Sequence, residues 1–125
     1  MESPKKLMAG SLPDGACIML SEFFGGRLGI AEGIETALSA SAMFEMPVWA
    51  AISSAMLAKW SPPDGCEEVA IFADNDPKFG GQAAAFALAH RLATGRSAVP
   101  VTVHVPDRVG EDWADVYLRS KGVAA

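Results

Sequence analysis

The stretch IFADNDPKFGGQAAA, residues 71–85, runs from apolar residues into two aspartates, then through a glycine-containing bend into an alanine-rich segment. The apolar run EVAIFAD, residues 68–74, combines β-branched and aromatic residues and is typical of a strand buried on both faces. GQAAAFALAHRLATG, residues 81–95, is rich in helix-forming residues and ends at a glycine. The stretch therefore predicts a strand, a loop and a helix, with Asp74 and Asp76 at the carboxyl end of the strand.

The alternation of strand and helix continues on both sides of this unit. The further predicted elements, in chain order, are a strand at 27–31, a helix from Gly33 to before Pro47, a strand at 48–52, a helix at 53–60, a strand at 99–105 and a helix at 111–122. Short connections between such elements predict a three-layer, Rossmann-like α/β fold, in which helices flank a central, mostly parallel sheet of about four strands. Residues 15–20 are expected to pair with 27–31 as an N-terminal hairpin through a turn at Gly25-Gly26.

Bulk properties limit the classes of protein to which the chain can belong. Its 125 residues, 50% of them hydrophobic, predict a single domain over 1–125 with its core at about 12–120. No apolar run approaches the roughly 18 residues of a membrane span, and the N-terminus lacks the pattern of a signal peptide, so we expect a cytoplasmic protein without a membrane partner. A net charge of −5 argues against a module that grips nucleic acid by phosphate neutralisation alone.

Acidic residues follow two of the predicted strands. Residues two apart on a strand point to the same side, so Asp74 and Asp76 can converge if the extended geometry persists that far. Glu32 follows the strand at 27–31 in the same way, and the carboxyl ends of parallel strands form one edge of a sheet. Such carboxylates repel one another unless one is protonated or a cation lies between them, and their hard oxygen ligands suit Mg²⁺ or Mn²⁺. A structural alternative stays open for Asp76, which could instead cap the following helix.

A third group of acids precedes the last predicted helix. Asp112 and Asp115 lie three residues apart at the start of this helix, so their side chains are neighbours. Because this segment follows the strand at 99–105, we expect it at the same edge of the sheet. Lys78 and Arg108 are the basic residues nearest the predicted site, and each is a candidate for contact with a phosphate or substrate, although exposed loop cations are commonly only solvated.

At AEGIETALSA (31–40), IFADNDPKFGGQAA (71–84) and GEDWADVY (110–117), the sequence resembles the Toprim domain, the catalytic fold of primases, topoisomerases and some nucleases. It looks most like the Toprim domains of phage- and plasmid-type primases or primase-helicases. The resemblance implies that Asp74 and Asp76 bind divalent metal, and that Glu32 is a general acid/base or a further ligand. It also implies that Asp112 or Asp115 is the downstream acidic residue of the site.

The resemblance implies a nucleotidyltransferase that synthesises RNA primers in DNA replication, with Mg²⁺ or Mn²⁺ as cofactor. Single-stranded DNA template and nucleotides would be its partners, reached through flanking domains, because the chain reads as one module of a larger protein. Two alternatives remain at this point. The same metal site could serve a nuclease, and the domain could instead be a non-catalytic α/β module that binds metal. A receiver domain fits less well, because its acidic pair follows the first strand.

Overall fold

The computed structural model describes residues 15–23, 25–96 and 98–122. In chain order these residues form β1 (Gly26–Ala31), α1 (Ile34–Phe44), β2 (Val48–Ala50), α2 (Ser54–Lys59), β3 (Cys66–Phe72), α3 (Gly80–Thr94), β4 (Val101–His104) and α4 (Trp113–Ser120). The strands form one parallel sheet in the order β2-β1-β3-β4. The predicted α/β fold with a four-stranded parallel sheet is confirmed.

The sheet separates two apolar cores, because successive side chains of a strand point to opposite faces. On one face, Leu28, Ile30 and Ile71 pack with residues of α2 and α3. On the other face, Ala31 and Phe72 pack with residues of α1 and α4. Both central strands are thus buried on both faces, which explains their nearly continuous apolar sequences and gives the three layers expected of the fold.

The carboxyl ends of β1 and β3 are level with each other. Ala31, the last residue of β1, pairs with Phe72, the last residue of β3. The hydrogen-bond ladder of β3 extends one residue further, since the amide of Ala73 donates to the carbonyl of His104 at 3.0 Å. Residues that follow the two strands therefore emerge side by side at one edge of the sheet.

The prediction that residues 15–20 form an N-terminal hairpin with β1 is wrong. Ile18 instead forms an antiparallel bridge with Ala50 of β2, with backbone N–O distances of 2.7 and 3.1 Å. β1 has no free edge for a hairpin partner, because β2 and β3 flank it on both sides. Gly25 and Gly26 lead the chain into β1 with positive φ angles of 88° and 79°, a conformation for which glycine is well suited.

Ser53 caps α2, because its hydroxyl accepts a hydrogen bond of 3.2 Å from the amide of Met56. Among the described residues, none of the helices has both the length and the apolar character needed to cross a bilayer.

Candidate active site

A polar pocket of about 320 Å³ lies beyond the carboxyl ends of β1 and β3. Its walls come from the segments that follow β1, β2, β3 and β4, as the rule for ligand sites in parallel sheets predicts. The lining residues are Glu32, Ser54, Asp74, Asn75, Asp76, Pro77, Gly81, Gly110, Glu111 and Asp112. The fold thus brings four of the acidic residues selected from the sequence to one pocket: Glu32, Asp74, Asp76 and Asp112.

Asp74 has the most perturbed carboxylate of this pocket. Burial is the main cause that raises its pKa from an ordinary 3.8 to about 6, and the nearby carboxylates of Asp112 and Glu32 contribute to the rise. A hydrogen bond of 3.2 Å from the hydroxyl of Thr36 to Oδ1 acts in the opposite direction. A carboxyl group that is partly protonated near neutral pH, among other acids in a pocket, is typical of a functional site.

Asp76 has the capping role that the sequence left open and also lies in the pocket wall. Its Oδ1 accepts a hydrogen bond from the amide of Lys78 at 2.9 Å, and its Oδ2 accepts one from the amide of Gly80 at 3.1 Å. The bond from Lys78 is the largest of the effects that lower the pKa of Asp76. The side chain therefore stays ionised while it holds the start of α3, and it still lines the pocket.

Glu32 directly follows β1 and lines the pocket. Its Oε1 accepts a hydrogen bond of 2.6 Å from the hydroxyl of Ser54, the first residue of α2. Gly81 lies close to both Asp74 and Glu32. A Cβ atom at this position would be 3.6 Å from the carbonyl oxygen of Asp74 and 3.9 Å from Oε2 of Glu32. A glycine at this position leaves room in the pocket.

The structure distinguishes Asp112 from Asp115. The two residues form a capping box at the start of α4: Oδ1 of Asp112 accepts from the amide of Asp115 at 2.7 Å, and Oδ2 of Asp115 accepts from the amide of Asp112 at 3.0 Å. Asp112 lines the pocket, whereas Asp115 is not among the lining residues. Asp115 instead fixes the backbone that carries Asp112.

The two basic candidates lie outside the pocket wall. Lys78 and Arg108 are both exposed, and neither is among the residues that line the pocket. Each lies in a loop that contributes lining residues, Lys78 next to Pro77 and Arg108 two residues before Gly110. Their position suits contact with a ligand that extends beyond the pocket.

Sequence reasoning missed several residues that organise the site. Thr36 and Ser54 place hydroxyl groups on the two central acids, and Thr36 is only 5% exposed. Asn75 joins two loops, since its amide donates to the carbonyl of Glu111 at 2.9 Å and its Nδ2 donates to the carbonyl of Pro106 at 2.8 Å. The position of Asn75 between two aspartates could have indicated that it belongs to the site. The sequence gives no such indication for Thr36 and Ser54, because the acids that they contact are distant in the chain.

The donor atoms suit a hard divalent cation, but they are not assembled around one point. Within residues 15–23, 25–96 and 98–122, no three acidic, histidine or cysteine side chains are grouped so that they could hold a metal ion together. A shared ion therefore requires rotation of these side chains within the pocket. Carboxylate oxygens from three separate loops are nevertheless the ligands that Mg²⁺ prefers in proteins.

The sequence profile of the Toprim domain matches residues 27–124, which is most of the chain. The chain belongs to the Toprim family. A search of curated protein sequences found no match. Among solved structures, the Toprim chain is similar to the crystal structure of a DNA primase domain from Pseudomonas aeruginosa, with a TM-score of 0.53 and 16% sequence identity. That similarity covers 77% of this chain and 30% of the primase-domain chain, and at this identity it shows a shared fold.

Proposed function

We propose that this Toprim domain is the catalytic module of a primase that transfers nucleotides in a metal-dependent reaction and synthesises RNA primers on single-stranded DNA. The observation that carries the proposal is the convergence of Glu32, Asp74, Asp76 and Asp112 on one pocket at the carboxyl edge of the sheet. Membership of the Toprim family and the fold shared with a DNA primase domain support the same reaction class. The phage- or plasmid-type primases remain the subgroup that we favour from the sequence.

Template binding requires more protein than this chain. The chain spans 30% of the length of the similar primase-domain structure, and its net charge is −5. An acidic domain repels the phosphate backbone unless cations or a basic partner surface compensate. We therefore propose that flanking domains hold the single-stranded DNA, while this domain supplies the reacting site.

Asp74, Asp76 and Asp112 are the residues that we assign to Mg²⁺ or Mn²⁺, with Glu32 as a further ligand. Toprim domains generally bind Mg²⁺. A bound divalent cation would neutralise the charge that develops on the phosphoryl group during transfer. Asp74 gains most from such an ion, because burial and the neighbouring acids disfavour its charge. Asp76 contributes a carboxylate that its backbone hydrogen bonds keep ionised.

Glu32 is the residue that we assign to proton transfer. Its Oε1 is held by the hydroxyl of Ser54 at 2.6 Å, which orients the carboxylate within the pocket wall. In this position it can accept the proton of an attacking hydroxyl group or donate one to the leaving group. Lys78 and Arg108, on the loops beside the pocket, are proposed contacts for the phosphates of the nucleotide or the strand.

Thermal unfolding at increasing Mg²⁺ concentration tests the metal site. The melting temperature of the wild type should rise, because a ligand that binds only the native state stabilises it. The double variant Asp74→Asn/Asp76→Asn should show no rise. Asp64→Asn/Glu67→Gln is the matched control, since it also removes two acidic charges but at exposed positions outside the pocket wall. An equal rise in all three proteins would contradict the assignment.

The reaction itself requires an activity assay with the flanking domains present. Incorporation of labelled ribonucleotides on a single-stranded template measures primer synthesis, and shortening of an end-labelled strand in the same buffer measures cleavage. Incorporation that depends on Mg²⁺ or Mn²⁺ supports the proposal. Cleavage without incorporation would identify a nuclease, and a metal-bound domain with neither activity would identify a non-catalytic module.

A further inference from the structure

A second cavity of about 390 Å³ adjoins the acidic pocket on the α1 side of the sheet. Its lining differs in character, because three isoleucines provide most of the apolar wall. The lining residues are Ile18, Gly33, Ile34, Glu35, Thr36, Ile52 and Asp112. Cavities of this size, with apolar walls and a few polar groups, are typical of sites for small organic ligands.

The two cavities are neighbours. Asp112 lines both of them. Thr36 lines the second cavity while its hydroxyl donates to Oδ1 of Asp74 in the acidic pocket. A single ligand can therefore present a charged end to the carboxylate pocket and an apolar end to the isoleucines.

The isoleucine wall is assembled from three separate segments. Ile18 is fixed by its antiparallel bridge to Ala50, and Ile34 is the first residue of α1. Ile52 has a φ angle of 82°, which is a strained conformation for a β-branched residue. Backbone strain of this kind persists where the surroundings enforce it, and it is frequent at ligand sites. The side chain of Ile52 thus lines the cavity from a backbone conformation that glycine would adopt without strain.

We propose that this cavity binds the nucleoside part of the incoming nucleotide. The inference rests on the proposed function, since it assigns the phosphates of the same nucleotide to the acidic pocket. The side chains of Ile18, Ile34 and Ile52 offer apolar surface to the faces of the base and the sugar. The carboxylate of Glu35 can accept hydrogen bonds from ribose hydroxyls or from an exocyclic amino group.

Methyl NMR spectroscopy tests this assignment directly, because the chain has five isoleucines. Ile18, Ile34 and Ile52 line the cavity, whereas Ile30 and Ile71 are 0% exposed in the core on the other side of the sheet. Adding Mg²⁺ with ATP should shift the δ1-methyl signals of the three cavity isoleucines through the ring current of the base. Ile30 and Ile71 serve as internal controls and should stay within the line width.

Inorganic triphosphate with Mg²⁺ separates this inference from the proposed function. It carries the phosphates without the nucleoside, so it should perturb the amides around Asp74 and leave the three cavity methyl signals in place. Phosphate binding without any methyl response to ATP would overturn the nucleoside site and leave the metal pocket intact. If neither ligand perturbs the protein, both proposals fail. A methyl response to a single-stranded oligonucleotide but not to ATP would assign the cavity to the template strand and overturn the inference.

Two matched substitutions on α1 add an affinity measurement. Ile34 is 45% exposed and lines the cavity, whereas Leu38 is 53% exposed, one turn further along, and does not line it. We expect Ile34→Ala to weaken binding of ATP about fivefold, the scale of one lost apolar contact, and to leave binding of triphosphate within about twofold. Leu38→Ala should change neither. Equal effects of the two substitutions on ATP would contradict the proposed site.

Discussion

Thr36 donates a hydrogen bond of 3.2 Å to Oδ1 of Asp74 and so connects two residues that are 38 positions apart in the chain. Thr36 belongs to α1, which follows β1, whereas Asp74 follows β3. The adjacent, parallel arrangement of these strands brings the start of α1 beside the end of β3. The hydroxyl stabilises the ionised form of Asp74 against burial and the charges of neighbouring acids.

Replacing Thr36 with valine should raise the pKa of Asp74 above its present value of about 6, because the hydrogen bond to the carboxylate is lost. We also expect Mg²⁺ binding to weaken by at least about tenfold, the scale of one hydrogen bond to a charged group. Carbon-13 NMR titration of the Asp74 carboxyl group, with calorimetry for the metal, measures both quantities. Thr36→Ser keeps the hydroxyl and should leave both quantities close to the wild-type values, whereas a purely steric role would spare the isosteric valine variant and impair the serine variant.

Asp74 should make the metal-free protein less stable at neutral pH than at mildly acidic pH. Its pKa in the folded protein, about 6, lies above the ordinary value of 3.8, so the folded state binds a proton more tightly than the unfolded state. The destabilisation is fully present above about pH 6 and disappears as the pH falls to about 3.

The substitution Asp74→Asn removes this titration. We expect the variant to be more stable than the wild type at pH 7.5 in the presence of a chelator, by roughly 1 kcal/mol after allowance for solvent screening. The difference should shrink steadily below about pH 6 and reach near zero at about pH 3, where the wild-type carboxyl is protonated in both states. Urea unfolding across this pH range measures it. A difference that is independent of pH would show that the charge of Asp74 is not the cause.

Glu32→Gln separates catalysis from stability. The glutamine keeps the size and the hydrogen-bonding reach of the side chain but cannot transfer a proton, so nucleotide transfer should fall by a factor on the order of a hundred or more. Thermal stability should be unchanged or slightly higher, because one of several clustered acids is neutralised. Ser54→Ala leaves Glu32 in place without its 2.6 Å hydrogen bond, and we expect a smaller loss of rate. Full activity of Glu32→Gln with both Mg²⁺ and Mn²⁺ would favour the non-catalytic alternative.

Gly81→Ala should stabilise the fold and impair the site. Gly81 lies in the first turn of α3, and an added Cβ would meet its neighbours at 3.6 to 3.9 Å, an ordinary contact distance. Replacing glycine by alanine at a compatible position stabilises a protein by about 0.5 kcal/mol. The added methyl group also reduces the space between Asp74 and Glu32, so metal binding should weaken. Calorimetric titration measures metal affinity, and thermal unfolding of the same sample measures stability. An increase in both quantities would contradict the view that Gly81 keeps space open beside Asp74 and Glu32.

The order of strands and helices could be predicted because it depends on local patterns. The apolar runs that became β1 and β3 and the alanine-rich segment of α3 each carry their own periodicity. The hairpin prediction failed because pairing partners are not a local property. Residues 15–20 are apolar enough to pair with any free strand edge, and β2, with which Ile18 pairs, is one of the two edge strands of the finished sheet.

The packing around Gly29 is a second feature that local sequence patterns could not predict. In the sequence, Gly29 is only a glycine within a strand. In the fold, a Cβ at this position would lie 2.7 Å from a methyl group of Val48 and 2.9 Å from the ring of Phe72. These neighbours come from β2 and β3, so the need for glycine arises from the sheet order and register rather than from the conformation of β1 itself.

By itself, the sequence determined the fold class and the acids that follow the strands, because alternating elements with short connections bring the carboxyl ends of parallel strands to one edge. The tertiary structure decided how those acids are surrounded. It places hydroxyl groups of Thr36 and Ser54 on Asp74 and Glu32, and it puts Asp112 rather than Asp115 in the pocket wall. Burial, hydrogen bonding and charge repulsion depend on distances between segments far apart in the chain, and only the packed sheet and helices set those distances.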